Sequence, residues 1–344
     1  MRDALAVADV GISGGAGDFE ELASRYQRVN LGQRRGYESA WKGVLDAFEA
    51  AHDAAEGLAD MLAALSSPTV SDGLVNPVVR RQHRAVTIDP AGFSPIEGRI
   101  VVVEDGRYRQ RPCAEVDDRR FIEALAEQVT PATQAVVELG AGWGRNLAAL
   151  ALRLGREDLT FIGGEQSESG QTCVTRLMGL EDRFEGHGHP FDFYAADLDF
   201  LSDYDDVLVF TCAAIEQIAF LPPDFIARVL AAAPRVRLVL FEPFGWQANR
   251  ALARNILQRS VAAVVAEKDP SGIVDEYRFR LSDDMLDQNS AVWALCGSYN
   301  MNLLSLIRKA EADGLARLNR LALNMDGRNL FNPYSLAILN PPAP

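Results

Sequence analysis

The sequence has little of what marks secreted, membrane or nucleic-acid-binding proteins. Its four cysteines among 344 residues include no Cys-x-x-Cys pair and are too sparse for a disulfide framework. No apolar run is long enough to span a bilayer, and residues 1–17 lack the uncharged apolar core of a signal peptide. Cations are scarce as well: 34 Lys and Arg stand against 48 Asp and Glu, and a net charge of −14 disfavours phosphate backbones and anionic membranes. We expect a reduced, cytoplasmic protein without nucleic acid or membrane partners.

What is present is ordinary globular composition, with 48% hydrophobic and 24% charged residues. The length suggests two folding units, or one domain with a sizeable elaboration. In the N-terminal part, a helical pattern covers residues 19–65 until Ser66-Ser67-Pro68 ends it, and two β-rich runs flank Asp105-Gly106 as a hairpin. Residues 1–116 are therefore interpreted as a helical and β-hairpin extension that can act as a lid.

Residues 117–344 alternate between apolar runs and amphipathic segments. Continuous apolar strands separated by helices indicate a parallel sheet covered on both faces. The predicted strands cover residues 135–139, 159–162, 191–195, 207–210 and 236–241, and the predicted helices cover 117–128, 146–154, 170–178 and 224–232. A helix over 301–312 and two strands, 315–324 and 335–340, around a turn at Asp326-Gly327 follow. Residues 245–298 fit neither pattern and are predicted as an insertion after the fifth strand.

The strongest local motif is a glycine-rich turn. An apolar strand ending at Leu139 runs into glycines at 140, 142 and 144, and a helix follows. Glycine is needed where the backbone turns tightly and a ligand approaches the chain closely. The dinucleotide-binding version of this turn has its third glycine one residue later, where this sequence has Arg145. The turn predicts a ligand at the carboxyl end of the first strand, where open α/β sheets bind ligands.

Three acidic residues lie at the ends of the predicted strands around this turn. Glu138 lies two residues before the first glycine, where it can face an ammonium group. Glu165 ends the second strand, where a carboxylate can accept two hydrogen bonds from ribose hydroxyls, and Asp197 ends the third, where it can read an adenine edge. Four further acids crowd nearby and leave the last assignment open: Asp199, Asp203, Asp205 and Asp206. These positions suit a ligand with an amino acid end, a ribose and an adenine, and no phosphate.

With these residues in place, the chain from about residue 120 onward resembles the class I methyltransferases that use S-adenosylmethionine (SAM). Residues 138–144 resemble the family's first motif, Glu165 its ribose-binding acid, and Asp197 with Leu198 its adenine-contacting pair. The terminal helix and hairpin resemble its reversed seventh strand, while the first hundred or so residues resemble nothing in it. The resemblance implies an α/β fold with a seven-stranded, mostly parallel, doubly wound sheet, a C-terminal antiparallel hairpin and SAM across the carboxyl edge. It implies cofactor contacts at Glu138, Gly140, Ala141, Gly142, Gly144, Glu165, Gln166, Asp197, Leu198 and Thr211, with S-adenosylhomocysteine (SAH) as the product.

The methyl acceptor is expected beyond the fourth and fifth strands. Methyl transfer requires an aligned nucleophile, the exclusion of water and, for some acceptors, removal of a proton. The fourth strand runs into Glu216 and Gln217, and Glu216 is the candidate for holding or deprotonating the acceptor. The other substrate-binding candidates are Gln217 and aromatic residues of the N-terminal region and the insertion: Tyr26, Tyr37, Trp41, Trp246 and Tyr299.

No metal site is expected. His187 and His189 fall in a predicted loop without a third converging ligand, and Glu242, after the fifth strand, stands alone. The predicted function is methyl transfer from SAM to oxygen or nitrogen of a small molecule or peptide. A nicotinamide-dependent oxidoreductase and a non-catalytic SAM-binding partner protein remain alternatives, because no residue is diagnostic of catalysis. An insertion of this kind also builds dimer contacts in other proteins, which leaves a homodimer open.

Overall fold

The computed structural model describes residues 31–65, 88–89, 97–112, 119–265, 277–327 and 329–342. The strands are β1 (Ile88–Asp89), β2 (Arg99–Glu104), β3 (Arg107–Pro112), β4 (Ala135–Leu139), β5 (Thr160–Glu165), β6 (Glu185–Pro190), β7 (Asp206–Cys212), β8 (Arg235–Glu242), β9 (Phe279–Arg280), β10 (Arg317–Gly327) and β11 (Tyr334–Asn340). The α-helices are α1 (Leu31–His52), α2 (Leu58–Leu65), α3 (Arg119–Ala126), α4 (Arg145–Leu154), α5 (Glu168–Met178), α6 (Phe225–Ala231), α7 (Arg250–Val265), α8 (Leu286–Gly297) and α9 (Leu303–Ala312). Short 3-10 turns include Asp199–Leu201, Ile215–Gln217 and Gly245–Ala248.

Nine strands form one sheet in the order β3-β2-β10-β11-β8-β7-β4-β5-β6. The strands from β8 to β6 are parallel to one another, and the four remaining pairs are antiparallel. The predicted sheet of seven strands, with its C-terminal antiparallel hairpin, corresponds to β10 through β6 in this order. The prediction was wrong in the number of strands and in the balance of parallel and antiparallel pairs. The N-terminal hairpin adds two strands, because it pairs with β10 through Asp326 and Gly327. That pairing covers a sheet edge that would otherwise be open.

The parallel centre of the sheet is buried on both faces. Every residue of β4 and β5 is buried. Ala135, Val137 and Leu139 of β4 point into one hydrophobic cluster, whereas Val136 points into the other. Helices α6 and α9 contribute to the first cluster, and helices α1 to α5 contribute to the second. Side chains that alternate between two covered faces make the doubly wound arrangement that the apolar strands predict.

The N-terminal region shares this core with the rest of the chain. Phe48 of α1 and Met61 of α2 belong to the same cluster as Leu147 of α4 and Leu177 of α5. The helical pattern over residues 19–65 resolves into α1 and α2, with a break that contains Gly57, and its first twelve residues lie outside the described ranges. Residues on both sides of the proposed boundary at 116 therefore contribute to one sheet and one core.

Two predicted strands differ from the observed ones. The third parallel strand is Glu185–Pro190 and not residues 191–195, so His187 and His189 lie in a strand and not in a loop. This strand is at the edge of the sheet, where its sequence does not have to be apolar. The apolar Phe191 and Phe193, which suggested the strand, pack into the core just beyond its end. Asp326 and Gly327 pair with β2 instead of turning the chain.

The predicted insertion has regular structure of its own. It contains α7, β9 and α8, which share a third hydrophobic cluster with Tyr108 of β3 and Phe331. Trp246 and Tyr299, at its two ends, are both buried in that cluster. None of the helices in the described ranges has the length and apolar character needed to cross a membrane.

Candidate functional site

The five parallel strands end at one edge of the sheet, and acidic side chains gather there. Leu139, Glu165, Pro190, Cys212 and Glu242 are the last residues of β4, β5, β6, β7 and β8. The glycine turn follows β4, and the short turn that carries Glu216 follows β7. Because β4 and β7 are neighbours in the sheet, the turn and the Glu216 segment are adjacent. The two halves of the site predicted from the sequence therefore meet at this edge.

The glycine turn passes so close to its neighbours that a side chain does not fit. Gly140 has a φ of 76°, and a Cβ there would lie 2.4 Å from the Cβ of Ala214 and 3.2 Å from the ring of Phe193. The backbone N–H groups of Gly140 and Ala141 donate to the carbonyl of Gly164. Gly140 is thus required both by its left-handed conformation and by the contact with the loop after β7.

Glu165 holds the glycine turn in place. Its Oε2 accepts a hydrogen bond from the N–H of Gly142 at 3.0 Å, and its Oε1 accepts bonds from the N–H and hydroxyl of Ser167 at 3.0 and 3.1 Å. The side chain is buried, and burial raises its pKa while these bonds oppose the rise. A carboxylate has about four lone-pair positions, so three accepted bonds leave room for about one more. Glu165 therefore fixes the turn and keeps limited capacity for a ligand.

Glu138 has a carboxyl oxygen without a partner. Its Oε1 accepts a hydrogen bond from Nδ2 of Asn146 at 2.7 Å, whereas Oε2 is buried and has no hydrogen-bond partner. The residue is 1% exposed, and desolvation raises its pKa to about 8, a rise that Asn146 and the nearby backbone N–H of Leu147 oppose. Buried polar atoms in folded proteins nearly always have partners, and the exceptions call for an explanation. A ligand that donates a hydrogen bond, and preferably carries a positive charge, would satisfy this oxygen.

Beyond β6 the structure brings Asp192, which the sequence analysis missed, next to the ribose candidate. Oδ2 of Asp192 accepts a hydrogen bond from Nε2 of Gln166, the residue after Glu165, at 3.3 Å. Asp197 is exposed and accepts a bond from the N–H of Asp199, while Leu198 is buried. Asp192 follows β6 by two residues, the position expected of a strand-end acid. The sequence analysis misses it because the apolar residues 191–195 predict the strand too late in the chain.

Two of the four acids that competed for the role of Asp197, namely Asp205 and Asp206, lie elsewhere. Asp206 is the first residue of β7 and makes ion pairs with Arg235 and Arg237, at the opposite end of the strand. The N–H of Asp205 donates to Gln134, also at that end. Neither can reach a ligand at the carboxyl edge.

On the other side of the turn, half-buried Glu216 and buried Glu242 form a second pair of acids. Glu242 is 1% exposed, and its carboxylate accepts hydrogen bonds from the N–H groups of Ala214, Ile215 and Glu216 at 3.0 to 3.2 Å. Burial raises the pKa of Glu242 to about 7, opposed by these bonds. Burial and the neighbouring Glu242 raise the pKa of Glu216 to about 8. The last residue of β8 thereby fixes the segment that carries Glu216.

Amide and tyrosine side chains surround Glu216. Nε2 of Gln217 donates to its Oε1 at 3.0 Å, and Nδ2 of Asn332 donates to its Oε2. The backbone N–H of Asn300, just after the insertion, donates to the backbone carbonyl of Glu216 at 3.0 Å. Tyr334, the first residue of β11, has a pKa well above its usual value because of burial and the nearby carboxylates. Asn332 and Tyr334 gave no motif in the sequence, because they reach the site only through the terminal hairpin.

The remaining predicted residues fall into three groups. Thr211 is buried at the end of β7, and its hydroxyl helps to lower the pKa of Glu242. Trp246 and Tyr299 are 1% and 5% exposed and pack in the third cluster, and Tyr299 also lies near enough to Tyr334 to influence its pKa. The side chains of Tyr26, Tyr37 and Trp41 lie outside the described residues. Over the described part of the chain, no three His, Cys, Asp or Glu side chains are grouped to hold a metal ion.

Comparison with known proteins gives structural likeness without sequence relatives. No family model and no curated protein sequence matches the chain. A geranyl diphosphate methyltransferase solved with GPP and sinefungin matches with 11% identity and a TM-score of 0.37, over 65% of this chain and 77% of that one. Magnesium protoporphyrin IX methyltransferase from Synechocystis PCC 6803, with bound SAH, matches with 16% identity and a TM-score of 0.36, over 65% and 81%. Mitomycin 7-O-methyltransferase matches with 14% identity and a TM-score of 0.35 over 64% of this chain, which spans about half of that protein, 52%.

Proposed function

We propose that the chain is a SAM-dependent methyltransferase that acts on a small molecule or peptide. One observation carries the proposal: the buried Oε2 of Glu138 has no hydrogen-bond partner. It lies beside a glycine turn, at the sheet edge where β5 also ends with Glu165. An ammonium group, such as the one in the methionyl part of SAM, supplies the charge and the hydrogen bond that this oxygen lacks. These acceptors fit an ammonium group better than an anionic group.

The fit extends to the nucleoside part of the cofactor. Glu165 retains capacity for a hydroxyl donor, and the Gln166–Asp192 pair offers polar groups beyond β6. The pyrophosphate of a nicotinamide dinucleotide, by contrast, would have to approach a turn backed by two buried carboxylates, Glu138 and Glu165. An anion there would raise the pKa of both acids further and would leave the open oxygen of Glu138 without a donor. These features favour SAM over a dinucleotide, and thus methyl transfer over hydride transfer.

On the acceptor side, Glu216 is the residue proposed to hold the acceptor and to take its proton. When bound, SAM supplies an electrophilic methyl group. The chain must then align the nucleophile and exclude water. The Glu216–Glu242 pair beside the glycine turn is suited to both tasks, because it is fixed in position and largely shielded from solvent. The N–H groups bonded to Glu242 keep the Glu216 backbone in one position. A base with a pKa of about 8 is matched to proton removal near neutral pH.

Calorimetric titration with SAM, SAH and NAD tests the proposal. SAM and SAH should bind in the micromolar range, about −8 kcal/mol, and NAD far more weakly. Tight NAD binding without SAM binding would replace the methyltransferase with an oxidoreductase. A screen for transfer of labelled methyl groups then separates an enzyme from a SAM-binding partner protein.

A further inference from the structure

The group formed by Glu216, Glu242, Asn332 and Tyr334, called here the Glu216 cluster, determines what kind of acceptor fits. Its members come from the loop after β7, the end of β8 and the segment leading into β11. The two carboxylates are close enough for each to disfavour the charge of the other, since Glu242 raises the pKa of Glu216. Two desolvated carboxyl groups this close together hold their protons more tightly than usual, and a positive charge beside them would favour their ionised forms.

Backbone N–H groups use most of the hydrogen-bond capacity of Glu242. Its Oε1 accepts two backbone N–H bonds and its Oε2 accepts one. These bonds fill about three of the four positions that a carboxylate offers, as they do at Glu165. Glu242 thus acts on a ligand through its charge and through the loop that it holds, and it is a positioning residue.

Glu216 and Asn332, by contrast, have open acceptor positions. Each carboxyl oxygen of Glu216 accepts one hydrogen bond, which leaves about two positions free. The amide of Asn332 donates to Glu216, yet its Oδ1 is buried and has no partner, and the residue is 4% exposed. The unpaired Oδ1 of Asn332 and the free acceptor positions of Glu216 thus form a group of hydrogen-bond acceptors without a donor.

No cation within the described residues compensates the cluster. Neither Glu216 nor Glu242 takes part in an ion pair there, and the groups that shift the pKa of Glu216 are one carboxylate and two amides. Tyr334 also faces the carboxylates, with Cys212 and Tyr299 near it, and none of the three is cationic. Buried charge without a partner is costly, so a cationic ligand gains where a neutral one does not.

We propose that the methyl acceptor is an amine, bound as an ammonium ion with its N–H groups directed at Glu216 and the Oδ1 of Asn332. An alcohol brings a single O–H donor and no charge, and a carboxylic acid brings charge of the wrong sign. Glu216 first takes a proton from the ammonium ion, which frees the nitrogen lone pair. That lone pair then forms the C–N bond as the C–S bond breaks, whose electron pair stays on sulfur, and the positive charge passes from sulfur to the methylated nitrogen. The inference rests on the proposed function, and it names the substrate class for that site.

The test uses the full chain saturated with SAH, so that the Glu138 oxygen is already occupied. Phenethylamine and 2-phenylethanol, and hexylamine and 1-hexanol, are titrated as pairs with the same carbon skeleton. Each amine should bind at least about tenfold more tightly than its alcohol, which is about 1.4 kcal/mol. Binding near neutral pH should also release a proton, seen as a dependence of the measured heat on buffer, because an ammonium ion favours ionised Glu216.

Two variants and a matched control locate the effect. Glu216→Gln keeps the shape and should remove the preference for amines, and Asn332→Ala should reduce it. Glu127→Gln, the same change at an exposed position, should retain it. If SAH binds and neither amine exceeds its alcohol, the amine assignment is overturned while the proposed function stands. If an amine preference persists in Glu216→Gln, the assignment to this cluster is overturned. If SAH does not bind, the proposed function fails.

Discussion

The two halves of the sheet edge each carry a pair of acids, Glu138 with Glu165 and Glu216 with Glu242. The two pairs differ in which hydrogen-bond acceptor positions remain unfilled. In the proposed cofactor half, Glu165 is held by Gly142 and Ser167 and fixes the exit of β4, while Glu138 keeps an oxygen without a partner. In the proposed acceptor half, Glu242 is held by three N–H groups and fixes the exit of β7, while Glu216 keeps open positions. Each pair thus has one acid that holds the loop of a neighbouring strand and one, called here the outward acid, that keeps an acceptor position open.

The difference lies in the surroundings of the outward acids. Glu138 is 1% exposed and has one amide partner, whereas Glu216 is half-buried among two amides and a tyrosine. A single unmet acceptor suits one group of a constant cofactor. A wider set of open acceptors suits an acceptor that enters and leaves. An acid at a strand end is therefore a candidate for ligand binding only where it keeps hydrogen-bond capacity.

The largest effect is expected at the outward acid of the acceptor half. Glu216→Gln should lower turnover by about 10²–10⁴-fold, the usual loss for a general base, with SAH affinity nearly unchanged. Steady-state kinetics and SAH titration on the same preparation measure both. Loss of SAH binding would place Glu216 in the cofactor half instead, and a rise in the acceptor KM alone would favour orientation over proton removal.

Removal of the holding acid should affect stability most. Glu242→Ala leaves three N–H groups without an acceptor, each costing about 1–3 kcal/mol, and relief of the buried charge offsets part of this. We expect a net loss of about 2–4 kcal/mol in the free energy of unfolding, measured by chemical denaturation. Glu127→Ala is the exposed control and should stay within about 0.5 kcal/mol. Equal stability of the two variants would mean that the N–H groups find other partners.

The outward acid of the cofactor half should separate binding from stability. Glu138→Gln removes a buried charge and should leave the ligand-free protein as stable as before, or more so. It should weaken SAH binding by at least about tenfold, because a bond to a charged group contributes about 1.5–3 kcal/mol. Glu165→Gln should reduce both quantities, since it also holds the turn. A Glu138→Gln protein that binds SAH normally would contradict the role of this oxygen.

The pH dependence of stability follows from the raised pKa values of Glu138, Glu216 and Glu242. A carboxyl whose pKa is higher in the folded than in the unfolded protein binds more protons when folded. The free energy of unfolding should therefore fall as the pH rises from about 4.5 to about 8. Denaturation across that range should show a shallower fall in Glu138→Gln. A stability that rises through this range would contradict burial of these acids.

The smallest effect distinguishes two aspartates near the nucleoside end. Asp192→Asn should weaken SAH binding several-fold, since Asp192 is bonded to Gln166 beside Glu165. Asp197→Asn should change it little, because that side chain is exposed and caps Asp199. The reverse outcome in parallel SAH titrations would restore Asp197 to the adenine role that the resemblance implies.

The accuracy with which the sequence predicts strand positions differs from strand to strand. The parallel strands other than β6 are placed within a few residues, because continuous apolar runs identify buried strands. The edge strand β6, Glu-Gly-His-Gly-His-Pro, is missed because one of its sides faces no neighbour and its pattern is not apolar. The number of strands is also missed, since pairing of β2 with β10 joins segments more than 200 residues apart.

The amino acid sequence alone determines the glycine turn, the acids at the strand ends and the alternation of strands and helices, because these depend on local chain geometry and on periodic burial. Only the tertiary structure decides which acid holds a neighbouring loop and which one keeps an open acceptor position. Glu138 and Glu165, or Glu216 and Glu242, look alike in the sequence. Their roles separate because the loop of an adjacent strand brings the N–H of Gly142 to Glu165 and three N–H groups to Glu242, within 3.2 Å, only when the sheet forms.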